Sequence, residues 1–195
     1  MYDLERINST LKSQLSSKRY NHSLGVMYTS AALAMRYNEN MDEAMVAGLL
    51  HDCGKGISID EQINECRKHN IHLTDKDLEI PGLIHTKLGV YLAEHEYDVK
   101  NGNVLSAILC HTTGRPNMNV LEKIVYLADY IEPNRGDNWW TNDVRSVAFI
   151  DIDFAVYKCT EFKIYSLNEE GKKVNMDALK TLDFYKAKAK YEGHI

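Results

Sequence analysis

Six residues of this 195-residue chain have metal-binding side chains in a pattern that could bring them together: His22, the adjacent pair His51-Asp52, His85, His111 and Asp129. Imidazole nitrogen combined with carboxylate oxygen suits divalent iron, manganese, zinc or cobalt. No cysteine stands at ligand spacing, which argues against a sulfur-ligated structural zinc. A carboxylate has two oxygens and can bridge two cations, whereas an imidazole binds one. Asp52 is therefore the natural bridge, and His51 belongs to a single metal. Any one of these histidines alone would more often be a packed or surface residue. Six ligand-type residues, each on or at the end of a helical segment, reverse that expectation. His69, His72, His95 and His194 have no such context and read as solvated or structural.

The segments that must position these residues read as helices. From Tyr20 to Tyr37, Leu24, Met27, Tyr28, Ala31, Ala34 and Met35 recur at helical spacing and predict one apolar face. Asn40 with Glu43 gives a capping-box-like start to a helix that runs to His51, with Gly54 and Gly56 as its stop. At the end of that helix the chain can aim both members of the His51-Asp52 pair into one cavity, although consecutive helical residues normally diverge by about 100°. Ser58 with Glu61, and Thr74 with Asp77, open two further short helices. Pro81 fits the first turn of one carrying His85. Asn101-Gly102 breaks the chain before Val104 to His111, and Asn119 with Glu122 caps Val120 to Ile131, which Pro133 ends. Asp151 to Tyr165 and Asn175 to Tyr191 are two more helices, split by the polar stretch Asn168 to Lys173. No convincing strand pair or internal repeat is present, so the expected architecture is an all-α bundle.

Composition narrows the function classes. Hydrophobic residues at 44% and charged residues at 26% match an ordinary globular protein. The net charge of −5 disfavours non-specific binding to nucleic acid or an anionic membrane. A polyanionic substrate would need local cations and metals to draw it in. The start, Met1-Tyr2-Asp3-Leu4-Glu5-Arg6, lacks the apolar stretch of a signal peptide, and no run reaches membrane-span length, so a cytoplasmic protein is expected. Cys53, Cys66, Cys110 and Cys159 read as free packing residues. The lysines of Lys186-Ala187-Lys188-Ala189-Lys190 suit a helix C-terminus and read as a solvated face.

The histidine-aspartate pair and its neighbours resemble a known family, the HD-domain metal-dependent phosphohydrolases. Arg19-Tyr20-Asn21-His22-Ser23, His51-Asp52-Cys53-Gly54-Lys55, Gly82-Leu83-Ile84-His85, His111-Thr112-Thr113-Gly114 and the run from Leu127 through Asp129 to Arg135 look like successive motifs of its YqeK-type subfamily. That subfamily contains bacterial symmetrical bis(5′-nucleosyl)-tetraphosphatases, which cleave diadenosine tetraphosphate into two ADP. The likeness is close over about 19–135. It implies a single HD-type helical domain over 1–195, with the helices of 136–195 packed on that core. It further implies one metal held by His22, His51, Asp52 and Asp129, and a second by Asp52, His85 and His111. Iron is the expected metal, with manganese, cobalt or zinc as substitutes.

The chemistry expected follows from two close cations, which activate a water as nucleophile and polarise a phosphoryl oxygen. Asp52 and Lys55 are the catalytic candidates. Charge on the scissile phosphate and the leaving ADP calls for further cations, and Lys55, Arg135 and Arg115 follow the ligand motifs. Thr112 or Thr113 could bond phosphate through its hydroxyl. Arg19 could reach substrate or brace a ligating carboxylate. Tyr130 could stack on a nucleobase, though packing is the commoner role for such a tyrosine. Trp139-Trp140 reads as part of a loop, anchoring it on the bundle or walling a nucleoside, with anchoring favoured. The expected ligand is a dinucleoside polyphosphate or another nucleotide, not a nucleic acid polymer or a membrane. Oligomeric state, a homodimer included, is left open. The alternatives are an HD-domain phosphohydrolase acting on a deoxynucleotide or cyclic phosphodiester, a non-catalytic nucleotide-binding regulator, and a helical adaptor with incidental histidines.

Overall fold

Short polar side chains set most of the helix boundaries. The computed structural model describes residues 2–195, so Met1 of the polar N-terminal stretch lies outside it. Among the described residues there are eleven α-helices and no strand. They are α1 (Leu4–Gln14), α2 (Ser17–Tyr37), α3 (Met41–Leu50), α4 (Ile59–Lys68), α5 (Asp75–Glu79), α6 (Ile84–His95), α7 (Gly102–Cys110), α8 (Val120–Ile131), α9 (Trp139–Ala148), α10 (Ile152–Glu169) and α11 (Met176–Tyr191). Every helix except α6 opens on an Asp, Ser, Asn or Thr whose side chain accepts a backbone N–H of the first turn. Ser58 with Glu61, Thr74 with Asp77 and Asn119 with Glu122 form reciprocal capping boxes. Helix α6 instead grows from the tight turn Pro81–Leu83.

Helix α8 is the hub. It packs against α2, α3, α7, α9 and α10, and its apolar residues from Leu121 to Ala128 are buried. A continuous buried cluster joins Ile7 of α1 to Ala189 of α11 through this helix. A small satellite of Cys66, Ile84 and Leu88 holds α4 against α6. The four cysteines are free and buried. No helix among the described residues is long and apolar enough to cross a membrane.

The structure corrects two local expectations and adds one helix. On α2 the buried stripe runs through Ser23, Val26, Met27, Ser30, Leu33 and Ala34, while Tyr28 and Met35 face solvent at 63% and 68% exposure. Small Ser23 and Ser30 let α2 approach its neighbours closely, which turns the apolar face away from the larger Tyr28 and Met35. Trp139-Trp140 is helical: Asn138 caps α9 and both tryptophans lie in its first turn. Helix α1 carries only Ile7 and Leu11 as buried residues, too sparse a pattern to stand out in the sequence.

Gly54 works as a contact point as well as a helix stop. The turn Cys53–Gly56 packs directly on α6. A Cβ on Gly54 would overlap the His85 carbonyl oxygen and lie 3.1 Å from the Gly89 nitrogen, both backbone atoms. The absence of a side chain here lets Asp52 and His85 meet. Gly54→Ala should therefore push α6 away at a cost of about 1–3 kcal/mol. That loss would lower the midpoint of thermal unfolding, followed by circular dichroism, by roughly 2–4 °C per kcal/mol.

Candidate metal centre

Two of the four central histidines follow helix C-termini, where carbonyls have no partner in their own helix, and a third uses a carbonyl of the turn just before its helix. His51 ends α3 and its Nδ1–H donates to the Gly48 carbonyl at 2.8 Å. His111 ends α7 and donates to Ile108 at 2.7 Å. His85, in the first turn of α6, donates to Gly82 at 2.6 Å. Each bond spans three residues, fixes the ring, and leaves Nε2 as a bare acceptor in the neutral imidazole. His22, on α2, donates Nδ1–H to the Glu132 carboxylate at 3.0 Å instead.

The four Nε2 atoms converge. His22 and His51 meet at 3.2 Å, and His85 and His111 at 3.3 Å. Asp52 lies between the pairs, its Oδ1 3.3 Å from His111 and 3.5 Å from His85, its Oδ2 3.5 Å from His51. Asp129, on α8, approaches His22 at 3.1 Å and His51 at 3.7 Å. His51, Asp52, His85 and His111 are all buried. Ligand atoms of His22, His51 and Asp129 lie within 4.8 Å of one another, as do those of His51, Asp52 and His111.

The electrostatics fit a cation. Burial pushes the His51 imidazole down to about 4 and the His85 imidazole well below its usual value, so both stay neutral near pH 7. Burial opposes ionisation of Asp52, but the imidazoles of His51 and His111 and the Lys55 ammonium outweigh it and hold the carboxyl well below the carboxylate range. Asp129 is held low in the same way against burial, by His22, His51, Lys163 and Arg135. Burial disfavours charge on His22, yet its bonds to Asp129 and Glu132 turn it upward. Asp52 Oδ1 is buried, and its one cationic neighbour is the Lys55 ammonium. Imidazole nitrogens facing one another around a buried carboxylate are what a divalent ion would satisfy, so the donor set fits the metals expected from the sequence.

A cavity of about 890 Å³ opens beside this centre, lined by Lys55, Thr112, Thr113, Asp129, Tyr130 and Arg135 among others. Lys55 Nζ lies 2.9 Å from Asp52 Oδ1. The Thr112 hydroxyl donates to His111 Nε2 at 2.9 Å. The Arg135 guanidinium bonds the Asp129 carboxylate and reaches His22 Nε2 at 3.4 Å. The structure does not bring Arg19 or Arg115 to the cavity lining. Arg19 is exposed on the first turn of α2, and Arg115 is drawn to the buried Glu122, which it grips through Nε and a terminal nitrogen at 2.8–3.1 Å.

The family model of the HD domain matches residues 19–134. The chain belongs to the HD-domain family. This HD-domain chain is 35% identical over 182 residues to the symmetrical bis(5′-nucleosyl)-tetraphosphatase of Bacillus subtilis, covering 92% of the chain and 96% of that protein. It is 31% identical to the protein of the same description from Staphylococcus aureus, with 94% of each covered. Its backbone matches the crystal structure of a Clostridium acetobutylicum protein described as a predicted HD superfamily hydrolase involved in NAD metabolism. That match has a TM-score of 0.90 at 36% identity and covers 96% of this chain and 99% of the other. HD domains bind divalent metal, and the histidine-aspartate cluster of this HD-domain chain could hold it.

Two residues at the site carried no signal of their own in the sequence. Glu132, buried on the far side of His22, also accepts the Asn134 backbone N–H at 2.7 Å, and a Cβ on Gly25 would overlap its Oε2. Lys163 of α10 reaches the His111 and Thr112 carbonyls at 3.5 Å. An acid three residues after Asp129 was the available clue to Glu132; Lys163 lies outside every motif. Replacing the carboxylate that orients His22 should loosen metal binding. Glu132→Ala is expected to weaken metal affinity by roughly 10–100-fold. Titration with Mn²⁺ followed by electron paramagnetic resonance would read this, and wild-type affinity in a folded Glu132→Ala protein would contradict it.

Proposed function

We propose that this chain hydrolyses dinucleoside tetraphosphates symmetrically, converting diadenosine tetraphosphate to two ADP. The observation that carries the reading is the convergence of four imidazole nitrogens and two low-lying carboxylates beside a cavity that Asp129 reaches and that Lys55, Arg135 and Lys163 border. A cavity of about 890 Å³ has room for a nucleotide and its phosphate chain. The full-length match to the symmetrical tetraphosphatases of Bacillus subtilis and Staphylococcus aureus supports the cleavage position.

His22, His51, Asp52 and Asp129 would hold one divalent metal and Asp52, His85 and His111 the other, with iron first in expectation and manganese, cobalt or zinc able to substitute. Bound there, two metals supply an activated water and a Lewis acid for the phosphoryl oxygen. The chain's own residues do the rest. Carbonyls of two helix C-termini and one turn hold three imidazoles in the tautomer that turns Nε2 inward. Lys55 borders the cavity from the turn after Asp52 and places its ammonium where negative charge grows on the transferred phosphate. Arg135 offers a second cation at the Asp129 end. The Thr112 and Thr113 hydroxyls can donate to phosphate oxygens, and Tyr130 borders the same space. Of the cations that follow the ligand motifs, Arg115 is committed to Glu122 and is left out of this scheme.

Iron-loaded protein incubated with diadenosine tetraphosphate should yield ADP as the sole product by ion-exchange chromatography, and a chelator should abolish the reaction. AMP with ATP would overturn symmetrical cleavage. Lys55→Ala should keep its metal content, read by plasma mass spectrometry, while kcat falls roughly 10²–10³-fold. Asp52→Ala should lose both metal and turnover.

A further inference from the structure

The cavity has two chemically different ends, and the second lies outside the HD-domain match. Residues 19–134 supply the histidines, the carboxylates and Lys55. Beyond them, α9 and α10 add Trp140, Phe162, Lys163 and Tyr165 to the cavity lining. Trp140 packs edge-on against Phe162 at 4.5 Å between ring centres and lies 5.2 Å from Tyr165. Trp139 stacks on Trp140 at 3.8 Å but does not line the cavity. Trp140 is therefore fixed by its neighbours while still bordering open space, and Tyr165 is 49% exposed. Trp139 is itself 61% exposed and covers one side of Trp140 rather than anchoring the segment, and Trp140 forms part of the wall.

Lys163 connects the two ends. It follows Phe162 directly on α10, and its ammonium donates towards the His111 and Thr112 carbonyls at 3.5 Å, beside the metal-binding histidines. The same ammonium lies 3.8 Å from the centre of the Tyr126 ring, which steadies it by cation–π attraction. A ligand spanning the cavity meets buried metal ligands, then a cation, then a rigid aromatic surface. That order matches one chemical class, a molecule with a polyanionic chain at one end and a flat aromatic group at the other.

We propose that α9 and α10 form a nucleoside-binding platform, in which a nucleobase stacks on the wall of Trp140, Phe162 and Tyr165 while Lys163 holds the phosphates that lead from that base to the metal centre. The inference rests on the nucleotide-hydrolase reading above for its ligand class. One nucleotide half of the substrate lies on the platform, and the other extends from the scissile phosphate towards the cavity mouth. Stacking accepts any base because every base presents a π-face, so the platform fixes the position of the base without reading its edge.

The test uses metal-loaded full-length protein and two probes, ADP and inorganic pyrophosphate, measured by isothermal titration calorimetry. Trp140→Leu should weaken ADP about tenfold and leave pyrophosphate within about twofold. Lys163→Met should weaken both probes about tenfold. Tyr165→Ala, at a half-exposed position, repeats the test if Trp140→Leu fails to fold, and its expected result is the same selective loss of ADP. Unchanged ADP affinity in folded Trp140→Leu or Tyr165→Ala protein would overturn the platform, as would equal losses of ADP and pyrophosphate. Unchanged pyrophosphate affinity in Lys163→Met would remove the lysine from the phosphate path. The turnover assay stands apart: selective ADP loss in protein that never cleaves diadenosine tetraphosphate would support the platform and sink the hydrolase reading.

Discussion

Bare imidazole lone pairs that face one another inside the protein are the constraint on which this structure turns. His51, His85 and His111 each spend Nδ1–H on a carbonyl three residues back, and His22 spends its own on Glu132. The inward Nε2 atoms then have nothing to donate, and they approach to 3.2 and 3.3 Å in pairs around Asp52. Without a cation between them these lone pairs repel. With one they become a ligand set already in place. The fold therefore carries a local instability that binding relieves, and the metal should contribute to the stability of the native state.

Holding such a site requires rigid surroundings, and the bundle supplies them from helix ends. His51 and His111 both occupy the last position of their helices, and His85 the start of another. At a helix C-terminus backbone carbonyls lack intrahelical partners, so at His51 and His111 the geometry that ends the helix also anchors the ring, while the turn before α6 anchors His85. Helix α8 adds Asp129 from the side, and because α8 packs on α2, α3, α7, α9 and α10, that carboxylate is tied to nearly every layer. Gly54 and Gly25 serve the same end from outside the ligand set. Each lacks a Cβ where a side chain would strike the His85 carbonyl or the Glu132 carboxylate.

What the sequence revealed depended on whether a residue acts through its type or through its neighbours. The six ligand-type residues were legible because they recur together on successive helical segments, and the structure brings all six together. The all-α architecture was legible because Asn, Ser, Thr and Asp mark nearly every helix start. Glu132 was not, since an acid before Pro133 reads equally well as a helix-end polar residue. Lys163 was not, because one lysine on an amphipathic helix has no signature. Tyr28 and Met35 were placed on the wrong face because apolar spacing cannot distinguish a large residue facing solvent from one facing the core when small Ser23 and Ser30 share the helix. Arg115 stood at a motif position, yet the buried Glu122 across the capping box of α8 holds its guanidinium.

The same distinction separates chemistry from recognition in the site. In the proposed reaction two metals and a lysine would act on a phosphoric anhydride, and that bond is the same whatever nucleoside it carries. Nothing in the histidine-aspartate cluster can therefore measure where along a phosphate chain the cut falls. A symmetrical cut needs a second fixed point at a set distance, one that holds the nucleoside so that the bond two phosphates away lies at the metals. The only large aromatic surface lining the cavity among the described residues outside the family match is the one that α9 and α10 provide, and Lys163 stands on its path to His111. Because Trp140 is braced by Trp139 and Phe162, that fixed point is stiff, and stiffness is what a ruler between base and metal requires.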